Sequence, residues 1–197
     1  MKKTIFIILI LLISCNSKEK ERNINKDVIK NNEVKMDNRI NLTKDAFENK
    51  SIDDIFYLIG DEVYNRYIDL DKINEFENPL KNLILIFNMH GQVENGGVSQ
   101  FVDNSTGDYF DETLIALKDI GIDEYVDILE TVKQTFPNNK VPKDIIIRRN
   151  VIDNMAKTQE EDMKMVELYE KLDSLYYAND KKFKTKLIEY TKKELFK

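Results

Sequence analysis

The stretch Asn78-Pro79-Leu80-Lys81-Asn82-Leu83-Ile84-Leu85-Ile86-Phe87-Asn88-Met89 decides how the rest of this 197-residue chain folds. Asn before Pro is a helix-opening pair, because Asn suits the N-cap and a first-turn proline lacks only an N–H that would have no helical partner there. Leu80, Leu83, Ile84 and Phe87 fall on one face, while Leu85, Ile86 and Met89 cover the others. A helix that is apolar all round has no face to give to water, so this one is predicted to be central, with other helices around it.

The flanking sequence supplies those helices. Ser51 with Asp54 is a capping-box pattern ahead of Ile52, Ile55, Phe56, Ile59, Val63 and Tyr67, which keep the i, i+3, i+4 spacing of one buried stripe. Downstream, Asp108 and Asp111 repeat the cap pattern before Phe110, Leu114, Leu117 and Ile120, and Gly121 stands where a left-handed residue ends a helix. Asp123 opens a further helix through Tyr125, Ile128, Leu129, Val132 and Phe136, stopped by Pro137. Residues 137–142 are a loop, and 143–156 are helical, although Ile145-Ile146-Ile147 also suits a strand. Thr158 with Glu161 caps a helix carrying Met165, Leu168, Leu172 and Leu175. A last helix runs from about Asp180 through Phe183, Leu187, Tyr190 and Leu195. The expectation is an all-α, single compact domain of about seven helices over residues 43–197, without the alternating strands and helices of a dinucleotide fold.

The amino-terminal segment has a different character. Lys2 and Lys3 precede an apolar run over residues 4–13 that is the length of a signal h-region and too short to span a bilayer. Leu12-Ile13-Ser14-Cys15 resembles the lipobox of bacterial lipoproteins. That resemblance implies a signal peptide over 1–14, cleavage before Cys15, lipid on the Cys15 thiol and a place in the bacterial cell envelope, at the outer membrane or cell surface. Cys15 is the single cysteine, so no disulfide forms within the chain. Residues 15–42 are rich in Asn, Lys and Glu without apolar periodicity and read as a disordered tether. Within them, Lys18-Glu19-Lys20-Glu21 resembles a charged surface-export tag.

Charge is segregated along the chain. Residues 51–132 hold 18 Asp+Glu against 4 Lys+Arg, whereas 133–197 hold 11 against 15, within an overall net charge of −6. Such a balance disfavours direct nucleic-acid binding, and the lysine-rich 181–197 end reads as a helix C-terminus with favourable charges. Reactive chemistry is sparse. His90 is the single histidine and lies in the apolar helix, where it reads as a packed residue; the single cysteine belongs to the lipobox, so no nucleophile and base are paired. No zinc pattern is present, and residues 103–114 place Gly107 and Leu114 where a calcium loop needs oxygen ligands. The reading is of no metal, no cofactor and no catalytic residue.

One polar stretch interrupts the helices. Val93-Glu94-Asn95-Gly96-Gly97, Gln100, Phe101, Asn104, Ser105 and Gly107, followed by Ala116-Leu117 and Ile120-Gly121, resemble the signature of a bacterial family catalogued as a domain of unknown function, whose named member is a DNA mimic. The likeness extends from Ser51 to the C-terminus, with Val98 replacing a bulkier residue. Two readings of the stretch stay open. In one, Asn95 and the two glycines end the buried helix, Phe101 returns to the core, and the amides bond the loop. In the other, Asn95, Gln100, Asn104 and Ser105 build a ligand pocket.

The resemblance implies carboxylates displayed in place of phosphates. Asp108, Asp111, Glu112, Asp119, Asp123, Glu124, Asp127 and Glu130 lie largely off the apolar stripes and form a candidate acidic face. The expected function is a non-catalytic, membrane-anchored binding module that takes a basic protein partner, of immunity or scavenging type. The alternatives are a DNA mimic that sequesters a DNA-binding protein, and an envelope enzyme with a carboxylate-based site.

Overall fold

A computed structural model of the chain describes residues 40–67 and 69–196, so the predicted signal peptide, Cys15 and nearly all of the predicted tether lie outside the described residues. Among the described residues are seven α-helices and no strand: α1 Ile52–Tyr67, α2 Asn78–Asp103, α3 Phe110–Ile120, α4 Asp123–Thr135, α5 Ile145–Asp153, α6 Gln159–Ala178 and α7 Asp180–Glu194. Short 3-10 turns occupy Lys44–Phe47, Leu70–Glu75, Ser105–Tyr109 and Pro137–Asn139. The all-helical reading therefore holds.

The predicted stop and start signals act through identifiable bonds. Ser51 and Asp54 exchange reciprocal bonds, Asp54 N–H to Ser51 Oγ at 3.1 Å and Ser51 N–H to Asp54 Oδ2 at 3.2 Å. Thr158 and Glu161 form the same box at the head of α6. Gly121 adopts φ 79°, and the Gly121 and Ile122 amides return to Lys118 and Leu117 carbonyls, a Schellman end that lets α4 fold back on α3. Asp144 accepts from the Ile146 and Ile147 amides, both at 2.9 Å, so Ile145-Ile146-Ile147 begins a helix and not a strand.

Two predicted caps move. Helix α2 opens one residue early, with Glu77 at the N-cap and Asn78 already helical. Helix α3 is preceded by Tyr109 rather than capped by Asp108, because the Asp108 carboxylate takes Arg148. Of the predicted α1 stripe, Ile55, Phe56, Ile59 and Val63 are buried, and the Tyr67 side chain lies outside the described set.

Helix α2 is the hub, with every residue from 82 to 87 buried, and it touches α1, α3, α5, α6 and α7. Its one buried amide in that run, Asn82, donates to Asp119 on α3 at 3.3 Å and to the Tyr190 hydroxyl on α7 at 3.1 Å. Tyr125 stacks on Tyr176 at 4.2 Å and on Phe183 at 4.6 Å between ring centroids, and its hydroxyl donates to the Tyr176 carbonyl at 3.0 Å. His90 packs edge-on to Phe56 with Nδ1 2.8 Å from the Tyr176 hydroxyl; burial lowers its pKa to about 4, so it is neutral in the fold. At the N-terminal side, Ile40 is buried and the Asn41 amide donates to Glu62 at 2.8 Å.

The segregated charges meet in the fold. Asp53 pairs with Lys184, Asp103 with Arg149, Asp108 with Arg148, Asp111 with Lys133, Glu112 with Lys143 and Glu124 with Lys182. Each acid comes from residues 51–132 and each base from 133–197. For Lys184, burial lowers the proton affinity, but hydrogen bonds to Asp180 and Asp53 outweigh it and leave the ammonium held above its ordinary range.

Candidate functional site: the glycine turn and its acid-lined cleft

The polar stretch interrupts α2 without ending it. Gly96 has φ −166° and Gly97 has φ 78° with ψ −179°, a combination open essentially to glycine alone, after which the helix resumes through Asp103. The predicted end at Asn95 is thus a break followed by a restart, because Phe101 and Val102, each 1% exposed, dock the second segment into the core. The restarted helix is capped from another element: Asp173 of α6 accepts the Val98 N–H at 2.7 Å. A Cβ on Gly97 would lie 2.4 Å from the other Asp173 oxygen, so glycine is required both by conformation and by space.

The signature amides bond one another across this break. Gln92 Oε1 accepts from Gln100 at 3.1 Å and from Asn104 at 2.6 Å, and Asn95 donates to the Gly91 carbonyl at 2.8 Å. Two of the four residues proposed for a pocket, Gln100 and Asn104, are therefore joined through Gln92, while Asn95 and Ser105 line an adjoining cleft.

Below the turn lies Arg148, fully buried on α5. Its Nε donates to the Val102 carbonyl at 2.6 Å and Nη1 to the Pro142 and Lys143 carbonyls, both at 2.8 Å. Nη2 donates to the Asn104 carbonyl at 2.7 Å and to Asp108 at 2.8 Å. All five donors are matched, four to backbone carbonyls left over by helix ends and turns. Gly107 admits this guanidinium, since a Cβ there would be 2.5 Å from the Val102 oxygen and 2.9 Å from Arg148 Nε.

The cleft, about 550 Å³, is bounded by Tyr64 of α1, by Asn88, Gln92 and Asn95 of α2, and by Asp69, Asp71, Ser105, Asp108 and Tyr109 from the two neighbouring 3-10 turns. Among the described residues no lysine or arginine lines it. Burial and then the negative field of Asp71, Asp108, Glu112 and Asp69 raise the Tyr109 hydroxyl above its ordinary pKa, so four carboxylates act on one point. Asp69 is the side-chain cap of the Leu70–Glu75 turn, accepting the Asp71 N–H at 3.0 Å, and both acids are exposed. The amide floor and acidic rim suit a cationic group that brings donors of its own.

Of the eight carboxylates of the predicted face, Asp108, Asp111, Glu112 and Glu124 belong to the pairs described above. Glu130 takes Lys118 at 2.7 Å and Asp119 takes Asn82. Asp123 and Asp127 are exposed on α4 with no side-chain bond to another described residue. Sequence reasoning missed Gln92, Arg148 and Asp173, which organise the turn, and Asp69, Asp71 and Tyr109, which open onto the cleft. Arg148 carried no distinct signal, since it is followed by Arg149 and Asn150 and preceded by the exposed Ile146 and Ile147. Asp69 and Asp71 carried none beyond belonging to the acidic half. No group of described residues has the composition of a metal site.

A family model described as DMP19-like protein matches residues 74–194, well over half of the chain. No curated protein and no solved structure matches. The chain belongs to the DMP19-like family.

Proposed function

We propose that this DMP19-like protein is a non-catalytic binding module that captures a basic protein through carboxylates its own fold leaves without a cation. The observation that carries the reading is their placement. Among the described residues, Asp69 and Asp71 at the cleft and Asp123 and Asp127 on α4 form no ion pair, although the same half of the chain supplies acids to six pairs with the basic half. Those six pairs join the two halves of the chain; Asp69, Asp71, Asp123 and Asp127 are among the acids that give the surface its outward field.

The lipobox places the module at a membrane of the bacterial envelope through lipid on Cys15. Among the described residues no helix is long and apolar enough to cross a membrane. A partner met there is an exported basic protein, which agrees with an immunity or scavenging role.

The test uses the full chain as bait on envelope extracts. A specific basic partner is expected to elute at roughly a few hundred millimolar salt, where ion pairs between surfaces are screened. Reversal of Asp71, Asp123 and Asp127 to Lys is expected to abolish recovery without changing the melting temperature. Unchanged recovery by this variant overturns the proposal.

Family membership favours a second reading, sequestration of a DNA-binding protein by the same carboxylates standing in for phosphates. Cell fractionation separates the two: a pool confined to membranes defeats the second, and a purely soluble pool beside the nucleoid defeats the first.

A further inference from the structure

Helix α6 is built unevenly. Its first fully buried residue is Leu172; before it, Leu168 and Tyr169 are half-buried against the core and Met165 is half-buried, whereas Met163 and Val166 face outward. Met163 and Val166 are 56% and 52% exposed. Met163 and Val166 therefore give this part of the helix an exposed apolar face beside the core-packed Leu168 and Tyr169.

That face borders a trough. Depressions of about 460, 360 and 560 Å³ lie along the α5 and α6 side of the molecule. The first two share Ser99, Ile152 and Tyr169, and the last two share Met155 and Met165, so they adjoin one another from the Gln100–Asn104 turn to Phe136 and Pro137. Its floor is thioether and aliphatic, from Ile152, Met155, Met165 and Val166. Among the described residues its charged lining is acidic, with Asp103, Asp162, Glu170 and Asp173 and neither lysine nor arginine. Asp103 is engaged by Arg149 and Asp173 by the Val98 amide, whereas Asp162 and Glu170 have no side-chain partner among the described residues. Three of these acids, Asp162, Glu170 and Asp173, come from residues 133–197, where bases outnumber acids.

We propose that the trough between α5 and α6 is a second docking site, distinct from the acid-lined cleft, for an amphipathic helix with an apolar stripe flanked by Lys or Arg. The chemistry is complementary at both levels. Methionine side chains are unbranched and polarizable and repack around varied apolar shapes, and carboxylates at the rim select against an acidic helix. The apolar residues of this segment run from Met163 to Tyr169, a wall roughly 10 Å long that matches about two turns of a docked helix.

The experiment uses the full chain with Cys15→Ala and a fluorescent peptide of about 15 residues, long enough for three to four turns, with Leu on one helical face and Lys on the other. The control peptide has the same composition in an order without helical periodicity. The amphipathic peptide is expected to bind at least roughly tenfold tighter than its control, with Met165→Lys/Val166→Lys reducing affinity by roughly tenfold or more at an unchanged melting temperature. Hydrogen exchange is expected to show protection on binding over 150–156 and 162–170. Equal binding of the two peptides, or a footprint elsewhere, overturns the proposal. So does a trough already protected in the free chain by residues 1–39, or a dimer that the Met165/Val166 variant dissociates. The Asp71, Asp123 and Asp127 reversal is expected to leave this binding intact, so the two sites fail separately.

Discussion

Replacing Arg148 by Met keeps most of the aliphatic volume and removes every donor of the guanidinium. The Val102 carbonyl, reached at 2.6 Å in the interior, loses its bond with no water to replace it. The Asn104, Pro142 and Lys143 carbonyls lie in partly buried bonds and recover some hydration, and the Asp108 side chain is 36% exposed. An orphaned buried group costs about 1–3 kcal/mol, so one full penalty, three partial ones and a discounted ion pair come to about 4 kcal/mol, inside the range of about 3–5 for breaking a buried pair. For a domain of this size that lowers Tm by roughly 8–16 °C. Urea unfolding of Arg148→Met, Arg148→Lys and Asp108→Asn measures it. Lysine supplies at most three donors without the planar fork and is expected to fall between wild type and Met. Asp108→Asn retains an acceptor and is expected to cost only about 1 kcal/mol. A loss below about 1 kcal/mol for Arg148→Met, or equal losses for Arg148→Met and Asp108→Asn, refutes the assignment of the stability to the four carbonyls.

Gly97→Ala places a Cβ against the Asp173 carboxylate in a backbone region that only glycine enters readily, and is expected to cost about 2–3 kcal/mol by chemical denaturation. Gly121→Ala meets only the left-handed strain, with nothing within 4 Å, and is expected to cost about 1 kcal/mol. His90 is neutral in the fold with a pKa of about 4 and regains about 6.5 on unfolding, so the unfolded chain takes up the proton first as pH falls. Stability is therefore complete above about pH 6.5 and declines by up to roughly 3 kcal/mol towards pH 4, a slope that His90→Gln is expected to flatten in urea titrations across that window. Metabolic labelling with a clickable fatty acid is expected to mark the wild-type chain and not Cys15→Ala, and an unlabelled wild type refutes the anchor.

The periodic parts of the sequence translated directly into helices, because burial of a stripe is a local pattern with a local consequence. Ile55, Phe56, Ile59 and Val63 in α1 and the all-round burial of α2 follow from spacing alone. The cap of α3 was misplaced since Asp108 has two competing uses, and the one that won, Arg148, lies 40 residues away. The turn at Gly96-Gly97 was recognised as a break but not as a restart, because the group capping the restart is Asp173, 75 residues on.

The acidic face shows the same limit in its sharpest form. A net count of charge along a segment is a property of the chain, whereas a binding field is a property of what remains after folding. Lys133, Lys143, Arg148, Arg149, Lys182 and Lys184 each cross from the basic half to an acid of the other. The separation of charge along the sequence is thus largely an internal complementarity that guides the C-terminal helices onto the N-terminal ones. Exposed pairs of this kind contribute only about 0–1 kcal/mol each, so their larger effect is to decide which carboxylates still face outward. Asp69, Asp71, Asp123 and Asp127 are among those that do. Moving a single lysine, as in Lys182→Glu, is expected to free Glu124 beside Asp123 and to strengthen binding of a basic partner. A weaker complex measured for that variant would mean that the outward field does not govern capture.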